Sequence, residues 1–162
     1  MYFCLVLPFI KNKRVYHSIC MFLISYNLLG GFISFLEPSG LIHEYISLTA
    51  HAFLCHMSLV FLGCMIGLNQ NIKKEKKDFI GSFKLFLCLC VVAFIINLIF
   101  YKVSRGDINM FYVGPRISPI IVFTSIATKY GWFINDIVYI FAMTLGSFLI
   151  YLPFTNKNLT KM

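Results

Sequence analysis

Long apolar runs, cut by short polar gaps, organise this chain. A bilayer core of roughly 30 Å takes about 20 apolar residues in a helix. Four runs reach that length: Val15 to Leu36, Tyr45 to Leu68, Phe79 to Tyr101 and Phe133 to Phe154. Breakers close them in turn: Glu37-Pro38-Ser39-Gly40, Asn69-Gln70-Asn71, Lys102, and Pro153 near the end of the last. The opening stretch, Met1 to Ile10, is apolar but too short to cross, and Lys11-Asn12-Lys13-Arg14 closes it as a whole span would be closed. It has no basic leader and no small-residue cleavage site, so it is a poor signal peptide. It reads as the last half of a spanning helix whose first half is missing. Ile117 to Ala127 is half a span long and reads as a re-entrant or interfacial piece. The expected fold is all-α: a polytopic transmembrane helix bundle over residues 1–162, one domain. It has four full spans (15–36, 45–68, 79–101, 133–154), a partial span at 1–10 and the 117–127 segment.

Composition agrees. The chain is 59% apolar and 12% charged, against about 25% charged in soluble domains. The net charge of +8 is no nucleic-acid signal, because the basic residues sit in gaps that face lipid headgroups. Lys11, Lys13 and Arg14 precede the first full span; Lys73, Lys74, Lys76, Lys77 and Lys84 surround the third gap; Lys157 and Lys161 lie in the tail. The positive-inside rule places those segments in the cytoplasm. The expectation is a multi-pass cell-membrane protein with a cytoplasmic C-terminus and membrane lipids as partners. The 102–132 segment is then external, although it carries Lys102, Arg105, Arg116 and Lys129. The Asn158-Leu159-Thr160 sequon falls in the tail and reads as chance. Six cysteines lie in apolar runs without a CxxC pair. Cys88 and Cys90 diverge around a helix, so neither a metal site nor a cofactor is expected.

Polar side chains in a span are costly against lipid and turn inward. On the second span, Ser47, His51, Cys55 and Ser58 form one stripe and Thr49, Ala52, His56 and Gly63 another. This helix is therefore expected at the centre, with neighbours on two sides. On the first span, Asn27, Gly30, Gly31 and Ser34 share an arc where another helix, from this chain or a partner, approaches closely. On the third, Cys90, Ala93, Asn97 and Tyr101 align; on the last, Asp136, Met143, Ser147 and Tyr151 lean one way. Asp136 complements the helix dipole from its first turn. Depth allows a His56–Asn27 pair at mid-membrane and a His51–Asn97 pair in the outer half. Each histidine has a simpler reading, a bond to a carbonyl that fixes helix register. Cys55 and His56 diverge by 100° and do not form a dyad.

Four stretches carry a resemblance. They are Leu28-Leu29-Gly30-Gly31 through Phe35-Leu36-Glu37-Pro38; Phe53-Leu54-Cys55-His56; Ile96-Asn97-Leu98 with Asn109-Met110-Phe111-Tyr112; and Tyr151-Leu152-Pro153-Phe154. In order and spacing the chain resembles the YwaF-like integral membrane family, whose vertebrate branch is associated with acyl transfer into ether phospholipids. The resemblance implies about seven spans and a cysteine–histidine chemistry in which His56 is the catalytic general base. The family's cysteine belongs to an early leucine-proline-histidine motif that this chain does not contain, and Cys4 does not sit in such a motif. The expected account is an N-terminal truncation, a misplaced start codon or a degenerate gene.

Three functions compete at this point. One is lipid or acyl-group handling, with His51, His56, Asn27, Asn97 and Asn109 lining a polar pocket. The second is a small transporter or permease component, in which buried polar groups relay protons or hold a substrate. The third is a structural subunit receiving a partner helix through Gly30, Gly31 and Ser34.

Overall fold

The computed structural model describes residues 2–69, 75–106 and 108–155. Among them there are helices and no strands. A short helix α1 (Tyr2–Val6) runs into a 3-10 turn at Leu7–Phe9. Helices α2 (Lys13–Leu36), α3 (Ile46–Leu68), α4 (Lys76–Phe100) and α6 (Trp132–Thr155) are each long and apolar enough to cross a membrane. Between the last two lies α5 (Ile121–Tyr130). Lys73, Lys74, Asp107, Lys157, Lys161 and the sequon fall outside the described residues, as does the side chain of Cys4.

Local chemistry sets the boundaries. Asn12 starts α2: its side-chain oxygen accepts from the N–H groups of Arg14 (3.0 Å) and Val15 (3.4 Å), two donors a helix leaves unpaired at its start. Glu37 leaves the helical region at φ −127° and Pro38 follows. Thr49 ties the entry of α3, accepting from the N–H of His43 (2.9 Å) and donating to its carbonyl (3.2 Å). The half-span expected at 117–127 is instead a helix at 121–130. The delay follows from Pro119, which restricts Ser118 to extended backbone. Thr124 Oγ1 then donates to the carbonyl of Ser118 (2.7 Å) across the non-helical entry. At ten residues, or about 15 Å, α5 is too short to span.

The chain gathers into two compact units, Met1–Leu85 with Thr144–Met162, and Phe86–Met143. In the first, α2 is the central helix. Every residue from Ile19 to Tyr26 is buried. Met21, Ile24 and Tyr151 form a core with Ile66, Phe79 and Phe154 against it. Aromatic rings extend that packing: Phe22 on Tyr26 (5.8 Å), Tyr26 on Phe79 (6.1 Å), and Phe79 on Tyr151 (5.2 Å). The expectation that α3 is central is corrected. Of the four long helices it is the least enclosed, with 11% of its most apolar stretch buried against 56% for α2. Its polar groups are satisfied along the helix itself. Ser58 donates to the carbonyl of Leu54 (2.8 Å), and His56 Nδ1 reaches the carbonyl of Ala52 (2.8 Å). A polar stripe that bonds back to its own turn needs no neighbouring helix.

Two glycines let α2 and α3 approach. A Cβ on Gly31 would sit 3.2 Å from the carbonyl oxygen of His56, and one on Gly63 would sit 2.9 Å from that of Leu23. Residues Leu23–Asn27 form a π-helical turn, a local widening of the kind that a mid-helix insertion produces.

Candidate functional site

The second unit holds a polar cluster around the segment between α4 and α5. One face of α4 presents Phe86, Cys90, Ala93 and Asn97, all buried, at spacings of four, three and four residues. Asn97 reaches the segment beyond its own helix. Its Nδ2 donates to the carbonyls of Met110 (3.0 Å) and Val113 (2.6 Å), and its Oδ1 accepts from the N–H of Met110 (2.9 Å). One amide thus clamps a tight turn from both sides.

That turn is strained. Phe111 and Tyr112 lie at φ 56° and 53°, a left-handed conformation that bulky residues rarely adopt. Gly114 follows at φ 114°. Its N–H donates to Asp136 Oδ2 at 2.8 Å, so a carboxylate just past the first turn of α6, one turn deeper than a helix-dipole position, holds the turn's far end. Strained backbone persists only where its surroundings over-determine it. The Asn97 clamp and the Asp136 anchor are those surroundings here. Tyr139, one turn along α6, packs its ring on Tyr112 (6.4 Å) and Phe123 (5.4 Å).

Several polar atoms in this cluster have no protein partner. They are Oδ1 of Asp136, Oδ1 of Asn135, and both Oδ1 and Nδ2 of Asn109. Asn135 is 2% exposed and Asp136 8%. Buried polar groups are nearly always paired, so each exception calls for an explanation. Asp136 has no salt-bridge partner among the described residues, where the ion pair is Lys77–Glu75.

No family model matches the chain, and no curated protein or solved structure matches it either. The chemistry of the site therefore rests on its own geometry.

The residues expected to form one pocket divide between the units. Asn97 and Asn109 belong to the cluster just described. His51, His56 and Asn27 belong to the first unit. His51 is exposed on α3, its Nε2 3.5 Å from Cys55 Sγ. His56 is half-buried, and since a carbonyl only accepts, its bond to Ala52 places the proton on Nδ1. Asn27 is half-buried and its Nδ2 has no partner. The bonds of Asn97 and His51 thus go to the 110–113 turn and to Cys55, not to each other. Gly31 is occupied by α3 of the same chain, whereas a Cβ on Gly30 would meet nothing within 4 Å. Ser34 donates back to the carbonyl of Gly30 (2.9 Å).

Sequence reasoning missed Asn135, and it placed Asp136 on the inward-leaning face of the last span and at the helix dipole without assigning it to a site; Asp136 in fact lies past the first turn. The signal was present as an Asn-Asp pair near the start of a helix long and apolar enough to span, where an ionisable group is a functional candidate by default. Among the described residues no group of three His, Cys, Asp or Glu side chains gathers as a metal site.

Proposed function

We propose that this chain is a multi-pass protein of the cell membrane that handles lipid or acyl groups at the Asn97–Asn109–Asn135–Asp136 cluster. The observation that carries the reading is a set of buried, unpartnered polar atoms close to the ends of two helices long enough to span. Asn97 lies three residues before the end of α4 and Asp136 four residues into α6, about 5 and 6 Å from those ends. Both helices, at roughly 36–38 Å, exceed a 30 Å hydrocarbon core by several ångströms. The cluster therefore falls near the hydrocarbon boundary, beside ester carbonyls and headgroups. Trp132 and Tyr130, both exposed, supply the amphipathic rings that favour this level.

This reading retains the acyl-group handling implied by the resemblance to the YwaF-like family, with the 11–14 and 75–84 regions and the C-terminus cytoplasmic. It moves the site. His56 lies one residue from the middle of α3, about 15 Å from either boundary, too deep for a glycerol ester. In vesicles of defined phospholipids carrying a labelled acyl chain, Asp136→Asn should lower acyl release or transfer by at least about tenfold, the loss expected when one charged group in a site is removed. His56→Ala should leave it nearly unchanged. The reverse pattern would return the chemistry to His56.

A carboxylate inside a spanning helix also favours a second reading, small-solute transport. Flux across sealed vesicles with no covalent change in solute or lipid would select it.

A further inference from the structure

We infer that His51 and Cys55 form half of a structural zinc site, completed by the same two residues of a second copy of this chain. The site belongs to the first unit and does not rest on the reading of the Asn97 cluster.

The distance between the two side chains sets the coordination. His51 and Cys55 stand one turn apart on α3, with the imidazole Nε2 3.5 Å from Sγ. Zinc bonds sulfur at about 2.3 Å and imidazole nitrogen at about 2.0–2.1 Å. Those lengths put two ligands of a tetrahedral ion about 3.5–3.6 Å apart, and two ligands of a linear ion about 4.3 Å apart. The pair therefore fits two corners of a tetrahedron and leaves two open. Without metal the same separation holds a thiol–imidazole contact, so the ligands are preorganised. Among the described residues no third His, Cys, Asp or Glu joins them.

The face that carries the pair is open. Val60 and Gly63 mark the side of α3 that meets α2. At 100° per residue, His51 lies about 180° around the helix from Val60 and about 120° from Gly63. On that far side His51, Leu48 and Leu54 are all exposed. His51 and Cys55 lie about 8 and 14 Å from the start of α3 by its rise, inside the hydrocarbon where such a helix crosses. Ser58 and His56 are satisfied on their own helix, but an imidazole exposed at that depth calls for a covering partner.

Symmetry and charge make that partner a second copy. Two chains inserted in the same direction are related by a two-fold axis along the membrane normal, so both pairs stand at one depth. A two-fold interface sets the same patch of each copy against the other, and Ser47 and Ser58 on this face are small enough for close approach. Two thiolates and two neutral imidazoles cancel the charge of one zinc ion, which avoids the cost of a bare charge in lipid. One copy with zinc would keep a net positive charge. Each Cys55 thiol gives its proton to solvent on binding, two protons for each zinc.

The test uses the full chain, purified in detergent without a polyhistidine tag and with a non-thiol reductant. Light scattering reads the mass and elemental analysis reads the metal. Zinc should double the protein mass at one ion per two chains, and EDTA should reverse it. Acidification should reverse it too, because the thiolates take back their protons. Cobalt in place of zinc should show the visible bands of a tetrahedral centre together with thiolate charge transfer. Losing even an outer-shell partner costs about 10–100-fold in metal affinity. Cys55→Ser or His51→Ala removes two of the four ligands, so half-dimerisation should need at least about 100-fold more zinc. Neither residue is buried, so both variants should remain folded monomers. Cys88→Ser, at an exposed thiol on α4, should respond as the parent does. A chain that stays monomeric in saturating zinc, one zinc per chain, a dimer that persists in EDTA, or an undiminished response in Cys55→Ser would each overturn the proposal.

Discussion

Replacing Asn97 by Ala should release the 108–114 turn while leaving the helices in place. Three hydrogen bonds are lost at once, two to carbonyls and one from the N–H of Met110. At a net value of about 1 kcal/mol each, the turn's opening becomes easier by about 3 kcal/mol. Every 1.4 kcal/mol is tenfold in an equilibrium, so local opening rises on the order of 100-fold. Backbone strain at Phe111 and Tyr112 pushes the same way, since it relaxes when the turn opens. Hydrogen–deuterium exchange in nanodiscs reads this directly. The amides of Met110 and Gly114, bonded to Asn97 and Asp136 respectively, should lose about two orders of magnitude of protection. Amides within α3, in the other unit, should stay unchanged. Asn97→Asp refines the test. It keeps the acceptor for Met110 N–H but turns a carboxylate toward two carbonyl oxygens, so it should be no better than alanine. Exchange at Met110 in Asn97→Ala within a factor of three of the parent would refute the clamp.

Other perturbations follow from packing and backbone geometry. Gly63→Ala should destabilise by about 1–3 kcal/mol, the usual cost of overpacking, because its Cβ would sit 2.9 Å from a backbone oxygen; chemical denaturation in detergent measures it. Gly30 and Gly131 both have open space where a methyl group would go, yet they should respond in opposite directions. Gly30→Ala, mid-helix, should gain about 0.5–1 kcal/mol, whereas Gly131→Ala, at φ 87°, should lose about 1–3 kcal/mol to strain. His56→Ala should cost only about 0.6 kcal/mol, typical of a single hydrogen bond inside a membrane bundle; a loss above 2 kcal/mol would show a partner beyond the Ala52 carbonyl.

What could be read from the chain follows the physics of each feature. The four long helices end within three residues of the expected limits, because unbroken apolar runs give their length and local breakers set their ends. The start of α5 needed the further step that Pro119 forbids a helix at 117. The centre of the first unit was not legible. In helices apolar enough all round to cross a membrane, apolar periodicity no longer separates core from surface, and polar stripes mislead when Ser58 and His56 bond to their own helix.

The cluster shows the same division between local and long-range information. Asn97 was readable because an amide in a span demands a partner. Its partner was not, since Met110 and Val113 lie 13 and 16 residues away, beyond a turn whose left-handed Phe111 and Tyr112 no propensity would choose. Those two residues accept that conformation only because Asn97 and Asp136 hold the ends. Asp136 in turn is buried with a spare oxygen only because the turn brings Gly114 to it. Strain, clamp and uncompensated carboxylate are thus one arrangement. An isolated structural turn would need the clamp alone; the buried charge beside it is what argues for a ligand.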